Sequence, residues 1–129
     1  EDLSRGLGDV YKRQIKYNLN QSVFKAGDAP DKMYLLVKGK VGIFLPKNDT
    51  KTPNFIIEEN ELFGEMGVIE NQLRMATARC IEECEIIAIT KKEFDERVNK
   101  SDVFVKGCLN ALSYRLRQVE KKLWYFHLE

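Results

Sequence analysis

Histidine is almost absent from this sequence, and the other residues that build metal sites are few. The 129 residues include one histidine, His127, and three cysteines, Cys80, Cys84 and Cys108, with no Cys-x-x-Cys pair. A conventional zinc or iron site needs several such ligands, so we expect no metal and no metal catalysis. The same shortage leaves no Ser-His-Asp or Cys-His arrangement away from the chain end, so we expect no enzyme.

Long apolar runs and a net charge are also missing. No uninterrupted apolar stretch approaches the ~18–20 residues of a membrane span, and the first ten residues lack the apolar region of a secretory signal. The 21 basic and 20 acidic residues leave a formal charge of +1, which provides no bulk attraction to nucleic acid or an anionic membrane. The odd number of cysteines favours reduced thiols. We therefore expect a cytoplasmic protein without a membrane partner.

The sequence does contain a series of short strand-like segments, which begins at Ile15. Residues 1–14 lack apolar periodicity, and SRGLGDVYKRQ within them resembles a translated adapter segment, so we treat this leader as lying outside the fold. Lys38-Gly39-Lys40 predicts a hairpin turn between two of the strands. Short strands at this spacing predict an all-β sandwich or barrel. The segments are IKYNL, VF, MYLLV, VGIFL, NFIIEE, TARCIE and CEIIAIT.

The C-terminal third changes to a helical period. Thr90 and Glu93 form a capping box that predicts a short helix over KKEFDERV, and Ser101 or Asp102 can cap a longer one. Such an apolar face can pack on the β domain, but a strict 3.5-residue period favours a helix partner, and hence a homodimer. The seam, with intervals of 4, 3, 4, 3, 4 and 3, contains Val105, Leu109, Leu112, Leu116, Val119, Leu123 and Phe126.

One charged pair stands out in FGEMGVIENQLRMATARC, residues 63–80. EMGVIE can form one or two helical turns, whose first N–H groups suit an anion. Arg74, folded back across the following turn, can fork two phosphate oxygens, whereas ionised Glu65 can only accept, for example from sugar hydroxyls. The pair therefore fits a sugar phosphate. The alternative is two exposed charges at the ends of a surface loop, which the spacing alone favours.

The amino-acid sequence of this segment resembles that of a known family. FGEMGVIENQLRMATA resembles the phosphate-binding cassette of cyclic nucleotide-binding domains, and FKAGDAPDKMYLLVKGKVGIF resembles their opening hairpin. CEIIAITKKEFDERV resembles their last strand and following helix, and the long helix resembles the dimer helix of the bacterial catabolite-activator branch. The resemblance runs from Ile15 to Val119. It implies a mainly β fold: a β jelly roll (double-stranded β-helix) over 15–100, then a short helix and a long amphipathic helix over 101–129.

The resemblance also implies roles for individual residues. Glu65 would accept from the ribose 2′-hydroxyl, and Arg74 would pair with the cyclic phosphate. Backbone N–H groups of Gly67 and Met75 would complete the phosphate cradle, and Gly64 would contact the ribose. No cofactor is implied beyond the cyclic nucleotide itself. The whole predicted ligand-binding set is Gly64, Glu65, Met66, Gly67, Arg74, Met75 and Ala76.

Some positions depart from the family pattern. Leu73 stands where many members have proline, and Met75 stands where a small or hydroxyl residue is usual. In this family, threonine at the position of Met75 favours the guanine nucleotide. Because methionine lacks the hydroxyl, it favours cAMP. In the region of the long helix that contacts the base, Val119 and Glu120 do not match the family's polar pair. Trp124 could stack on a base, or it could be an interface or core aromatic.

These observations predict a regulatory sensor in which cyclic nucleotide binding repositions the C-terminal dimer helix. A second hypothesis is a catabolite-activator-like transcription regulator cut short. Its recognition helix would follow Glu129, so we expect no DNA binding by this chain alone. A third hypothesis is a dimerisation scaffold that binds no ligand.

Overall fold

Eight strands precede the long helix in the described part of the computed structural model, which covers residues 14–128 except the side chains of residues 69, 70, 113, 120 and 123–128. The leader predicted over 1–14 lies outside these residues, apart from Gln14, which opens the first strand. The strands are β1 (Gln14–Tyr17), β2 (Ser22–Phe24), β3 (Lys32–Lys38), β4 (Val41–Phe44), β5 (Phe55–Ile57), β6 (Leu62–Phe63), β7 (Thr77–Cys80) and β8 (Cys84–Thr90). The helices are α1 (Glu65–Glu70), α2 (Lys91–Asn99) and α3 (Val103–Leu128).

The strands form two antiparallel four-stranded sheets. One has the order β1-β8-β3-β6 and the other β2-β7-β4-β5, so neighbours along the chain often lie in different sheets. Eight strands in two sheets connected in this way are a jelly roll. The predicted mainly β fold with helices at its C-terminal end is thereby confirmed.

The predicted hairpin between β3 and β4 is wrong. Strand β3 pairs with β6 and β8, whereas β4 pairs with β5 and β7. Gly39 does adopt a positive φ of 100°, and a Cβ there would lie 2.4 Å from the carbonyl oxygen of Glu83. The glycine therefore turns the chain from one sheet into the other at a corner where two backbone segments touch. A local turn signal cannot distinguish this crossing from a hairpin, because strand partners are chosen by long-range packing.

The core lies between the two sheets. Strands of both sheets contribute to one buried cluster, and its aliphatic members Leu36, Val41 and Ile86 are fully buried. Burial of such a side chain stabilises the fold by ~1.5–3 kcal/mol, so the cluster holds the sheets face to face. Its members are Tyr34, Leu36, Val41, Phe63, Ala78, Cys80, Cys84 and Ile86.

The chain divides into two compact units, Glu1–Lys91 and Lys92–Glu129. In the second unit, Asp102 is the residue that caps α3, because its Oδ1 accepts hydrogen bonds from the N–H groups of Phe104 at 2.7 Å and Val105 at 3.4 Å. Ser101 instead donates its hydroxyl to the carbonyl of Val98. No helix in the described part of the chain combines the length and apolar character needed to cross a membrane.

The predicted seam lies along α3. Its side chains that the structure describes are all solvent-exposed in the single chain. The side chains of Leu123 and Phe126 lie outside the described residues. The seam residues with described side chains are Val105, Leu109, Leu112, Leu116 and Val119.

Candidate functional site

Two charged side chains are buried in the described part of the protein. Glu65 is 7% exposed and Arg74 is 5% exposed. Burial of a charge is costly unless other groups compensate for its lost hydration. Their burial argues against the interpretation of these residues as exposed ends of a surface loop, and it makes their surroundings the candidate site.

The chain between β6 and β7 turns back on itself to bring these residues together. Gly64 precedes α1 with a φ of 74°, and Glu65 is the first residue of the helix. Asn71 ends the helix with a left-handed φ of 54°, and its N–H donates to the carbonyl of Gly67. The N–H of Gln72 donates to the same carbonyl at 3.0 Å. The chain is thereby reversed within a few residues, as the predicted folding back of Arg74 across this turn requires.

The Arg74 side chain returns to the start of α1. Its Nη1 donates to the carbonyl of Gly64 and its Nη2 to the carbonyl of Lys32, each at 2.5 Å. Its guanidinium carbon lies 4.2 Å from the centre of the Phe24 ring. The Nε atom is buried and has no hydrogen-bond partner among the described residues. A buried donor without an acceptor costs ~1–3 kcal/mol.

Glycines make room for the guanidinium. A Cβ added at Gly64 would lie 3.1 Å from the Nη1 atom of Arg74, and one at Gly67 would lie 3.2 Å from it. The cation therefore lies against the first turn of α1. The first N–H groups of a helix have no acceptor within the helix. Guanidinium and backbone donors are thus next to each other, which is the combination that binds a phosphate.

Burial of Arg74 disfavours its positive charge, and the neighbouring groups offset this effect only in part. Burial lowers the pKa of Arg74, whereas Tyr34, Asp31, Asp28 and Glu65 raise it. Because an arginine starts from so high a pKa, it remains protonated at neutral pH. The contribution of Glu65 also places this carboxylate within electrostatic range of the guanidinium. A buried cation and a buried acceptor therefore occupy the same neighbourhood.

The other predicted ligand-binding residues differ in burial. Met66 and Gly67 are partly buried, and Ala76 is buried. Met75 is 46% exposed. Of the predicted base contacts, Val119 is exposed on α3, whereas the side chains of Glu120 and Trp124 lie outside the described residues.

Two contributors to the site were missed from the sequence. The turn before β3 holds the backbone of Arg74: the N–H of Arg74 donates to the carbonyl of Asp28 at 2.9 Å, and the N–H of Gly27 donates to the carbonyl of Arg74 at 2.7 Å. The second is the ring of Phe24. Local patterns indicated only a turn and a short strand there, because both contacts join segments that are distant in sequence.

The two sheets, the short helix between β6 and β7 and the buried Glu65 and Arg74 define the class of this protein as a jelly-roll domain with a charged pair buried beside that helix. The family model described as "Cyclic nucleotide-binding domain" matches residues 14–101. The chain belongs to this family, and the resemblance seen in the sequence is confirmed.

Curated relatives support the assignment. The Cyclic AMP receptor protein of Thermus thermophilus is 25% identical over 114 residues, which cover 88% of this chain and 53% of that protein. The cAMP-activated global transcriptional regulator Vfr of Pseudomonas aeruginosa is 25% identical over 126 residues, covering 94% and 58%. The chain therefore spans somewhat more than half the length of these relatives.

Solved structures give the same fold. A halfsite-occupied form of the EAL enzyme Bd1971 is 36% identical, with a TM-score of 0.72, and the match covers 83% of this chain and 96% of that one. The catabolite activator protein of Thermus thermophilus is 22% identical with a TM-score of 0.70, covering 92% and 57%. At this lower identity, the likeness supports the fold alone.

Proposed function

We propose that this protein is a cyclic nucleotide sensor in which Arg74 pairs with the cyclic phosphate and Glu65 accepts from the ribose 2′-hydroxyl. The observation that carries the proposal is the buried guanidinium of Arg74, which is held against the first turn of α1. A cyclic phosphate brings two free oxygens and a negative charge to this donor set. Glu65 suits the hydroxyls because an ionised carboxylate only accepts.

The remaining cassette residues act mainly through their backbone. Gly64 allows the ribose to approach the chain, and the N–H groups of Gly67 and Met75 complete the phosphate cradle. Met66 and Ala76 flank these contacts. The proposed role of Met75 uses its backbone N–H and does not depend on its side chain, which is 46% exposed.

We favour cAMP as the ligand. Met75 lacks the hydroxyl that this family uses to favour the guanine base. The relatives named above are described as cAMP-responsive, but Bd1971, at 35–36% identity, has structures in both a cAMP-bound and a cGMP-bound form. Both nucleotides therefore belong in the test. Base contacts from α3 by Val119, Glu120 or Trp124 are part of this proposal.

For the output, we propose that residues 15–100 bind the ligand and that 101–129 transmit the signal through a homodimer seam. Binding would favour one position of the helix over another through differential contacts. The exposed apolar residues of α3 at heptad spacing support a helix partner. Relatives that carry such domains include transcriptional regulators and an EAL enzyme by name, so a protein of either kind is a candidate for what the helix controls.

The test is calorimetric titration of the wild type and Arg74→Ala with cAMP and with cGMP. Loss of a buried, charge-assisted pair should weaken binding by ~2–5 kcal/mol, roughly thirtyfold to several thousandfold. Arg79→Ala is the matched control, because Arg79 lies on β7 with its guanidinium over Phe44 at 4.1 Å, outside the cassette. Circular dichroism melts check that both variants fold.

Two results would contradict the proposal. Identical isotherms for the wild type and Arg74→Ala would remove the arginine from the site. An unfolding midpoint that neither nucleotide raises would favour the scaffold hypothesis instead, because a ligand that binds only the folded state must raise it.

A further inference from the structure

One face of the Arg74 guanidinium is covered by an aromatic ring. Its central carbon lies 4.2 Å from the centre of the Phe24 ring, within the range of a cation–π interaction. The ring is itself held in place, because its centre lies 5.8 Å from that of Tyr34 and 6.3 Å from that of Phe63. Arg74 therefore rests on a surface that has little freedom to move.

An irregularity in strand β2 places this ring. The register against β7 shifts between Ser22, opposite Arg79, and Phe24, opposite Ala78. In a regular strand, the neighbours Val23 and Phe24 would face opposite sides of the sheet, yet both pack against the core cluster here. A bulge of this kind redirects a side chain. The backbone of β2 is thus shaped so that Phe24 reaches the cassette.

The contacts of Arg74 are of two kinds. The carbonyls of Gly64 and Lys32 accept hydrogen bonds from two of its nitrogens, whereas the Phe24 ring lies over the guanidinium at 4.2 Å, closer than the Tyr34 ring at 5.9 Å. Hydrogen bonds alone permit the group to tilt, and a stacked ring restricts the tilt. A side chain that is already oriented loses less freedom on binding, which strengthens the complex.

We infer that Phe24 is a positioning residue for phosphate recognition: its ring, through the cation–π stack, keeps the Arg74 guanidinium in its binding orientation. The inference rests on the proposed function of the cassette. It assigns to β2, which contributes no predicted ligand contact, a share of the affinity. Weakening the stack would lower the fraction of protein molecules in which Arg74 has its binding orientation. The apparent affinity would fall in proportion to that fraction.

The experiment replaces Phe24 with 4-fluoro-, 3,5-difluoro- and 3,4,5-trifluorophenylalanine. These rings have nearly the size of phenylalanine, but each fluorine withdraws electron density from the face that attracts the cation. Calorimetric titration with cAMP should show affinity declining stepwise along the series, by about three- to thirtyfold at the trifluoro ring. A ring that only fills space would give no such trend.

Phe44 provides the matched control, because its ring lies at nearly the same distance from the guanidinium of Arg79, 4.1 Å. The same fluorinated residues at 44 should leave cAMP affinity unchanged. Retained binding with a flat series at 24, or an equal decline at 44, overturns the inference and leaves the proposed function standing. If unmodified protein binds neither cAMP nor cGMP, the proposed function fails and the inference with it.

Discussion

At the scale of single residues, the proposal assigns the ribose 2′-hydroxyl to Glu65 and the cyclic phosphate to Arg74. If Glu65 accepts from the ribose, Glu65→Gln should weaken cAMP binding by about 1.5–3 kcal/mol, the usual value for a hydrogen bond to a charged group. The same substitution should have little effect on 2′-deoxy-cAMP, which lacks the hydroxyl. Calorimetric titration of both proteins with both ligands gives the coupling between carboxylate and hydroxyl.

Glu61→Gln is the control for this cycle, because it makes the same chemical change at an exposed side chain four positions earlier. Equal losses of affinity for cAMP and 2′-deoxy-cAMP would mean that Glu65 supports the cassette without touching the hydroxyl.

A second residue-scale prediction concerns Cys80. Burial, together with the neighbouring Cys84, raises the pKa of its thiol from 9.0 to about 12. Between these pH values the unfolded chain releases the proton and the folded chain keeps it, so the free energy of unfolding falls as the pH rises. The fall should approach ~1.4 kcal/mol per pH unit for this group. Urea unfolding under reducing conditions from pH 8 to 11 measures it.

Substitution separates this thiol from other groups that titrate at high pH. Cys80→Ala should be less stable at pH 8 because it leaves a small cavity, but its stability should fall less steeply above pH 9. Cys108→Ser, at an exposed position, should keep the wild-type slope. Parallel profiles for all three proteins would show that Cys80 does not keep its proton.

At the scale of elements, the turn into α1 depends on the missing side chain of Gly64. Its φ of 74° disfavours other residues, and a Cβ would lie 3.0 Å from the Phe24 ring and 3.1 Å from both Arg74 and the Tyr34 ring. We expect Gly64→Ala to destabilise the fold by about 2–4 kcal/mol, from backbone strain and crowding together. Urea unfolding tests this directly.

Substitutions at two other glycines separate the cost of backbone strain from the cost of crowding. Gly27 has a φ of 92° but open space around it, so Gly27→Ala should cost the strain alone, about 1–2 kcal/mol. Gly107, in α3, has nothing within 4 Å, and Gly107→Ala should stabilise the helix by about 0.5–1 kcal/mol. A Gly64→Ala variant no less stable than Gly27→Ala would mean that crowding around Arg74 is unimportant.

Local chemistry predicted most of these elements, because it determines where strands and helices begin and end. Alternation and turn residues located the strands, and Asp102 was one of two predicted caps for α3. The pairing of β3 with β8, and the approach of Phe24 to Arg74, depend on contacts between distant segments. A single sequence carries no pattern for such contacts, which is why the hairpin was wrong and the stacked ring was missed.

At the scale of the whole molecule, the exposed seam of α3 predicts self-association. Leu112→Glu places a charge in the middle of the seam, where pairing would bury it without a partner. We expect the dimer dissociation constant to rise roughly hundredfold or more, as measured by analytical ultracentrifugation over a range of concentrations.

Gln118→Glu adds the same side chain to α3 at an exposed position off the seam, and it should leave the dissociation constant nearly unchanged. A wild type that sediments as a monomer at all concentrations, or equal effects of the two substitutions, would contradict a dimer built on this seam.

The two backbone hydrogen bonds between Arg74 and the turn at Gly27 and Asp28 have a consequence for protein engineering. Residues 64–76 form one continuous segment, which invites exchange between relatives to change ligand preference. Part of what holds Arg74 lies outside that segment: the turn at Gly27 and Asp28 binds its main chain, the carbonyl of Lys32 accepts from its Nη2, and the ring of Phe24 stacks on its guanidinium. A chimera that preserves phosphate recognition must therefore take residues 24–28 from the same donor protein as residues 64–76.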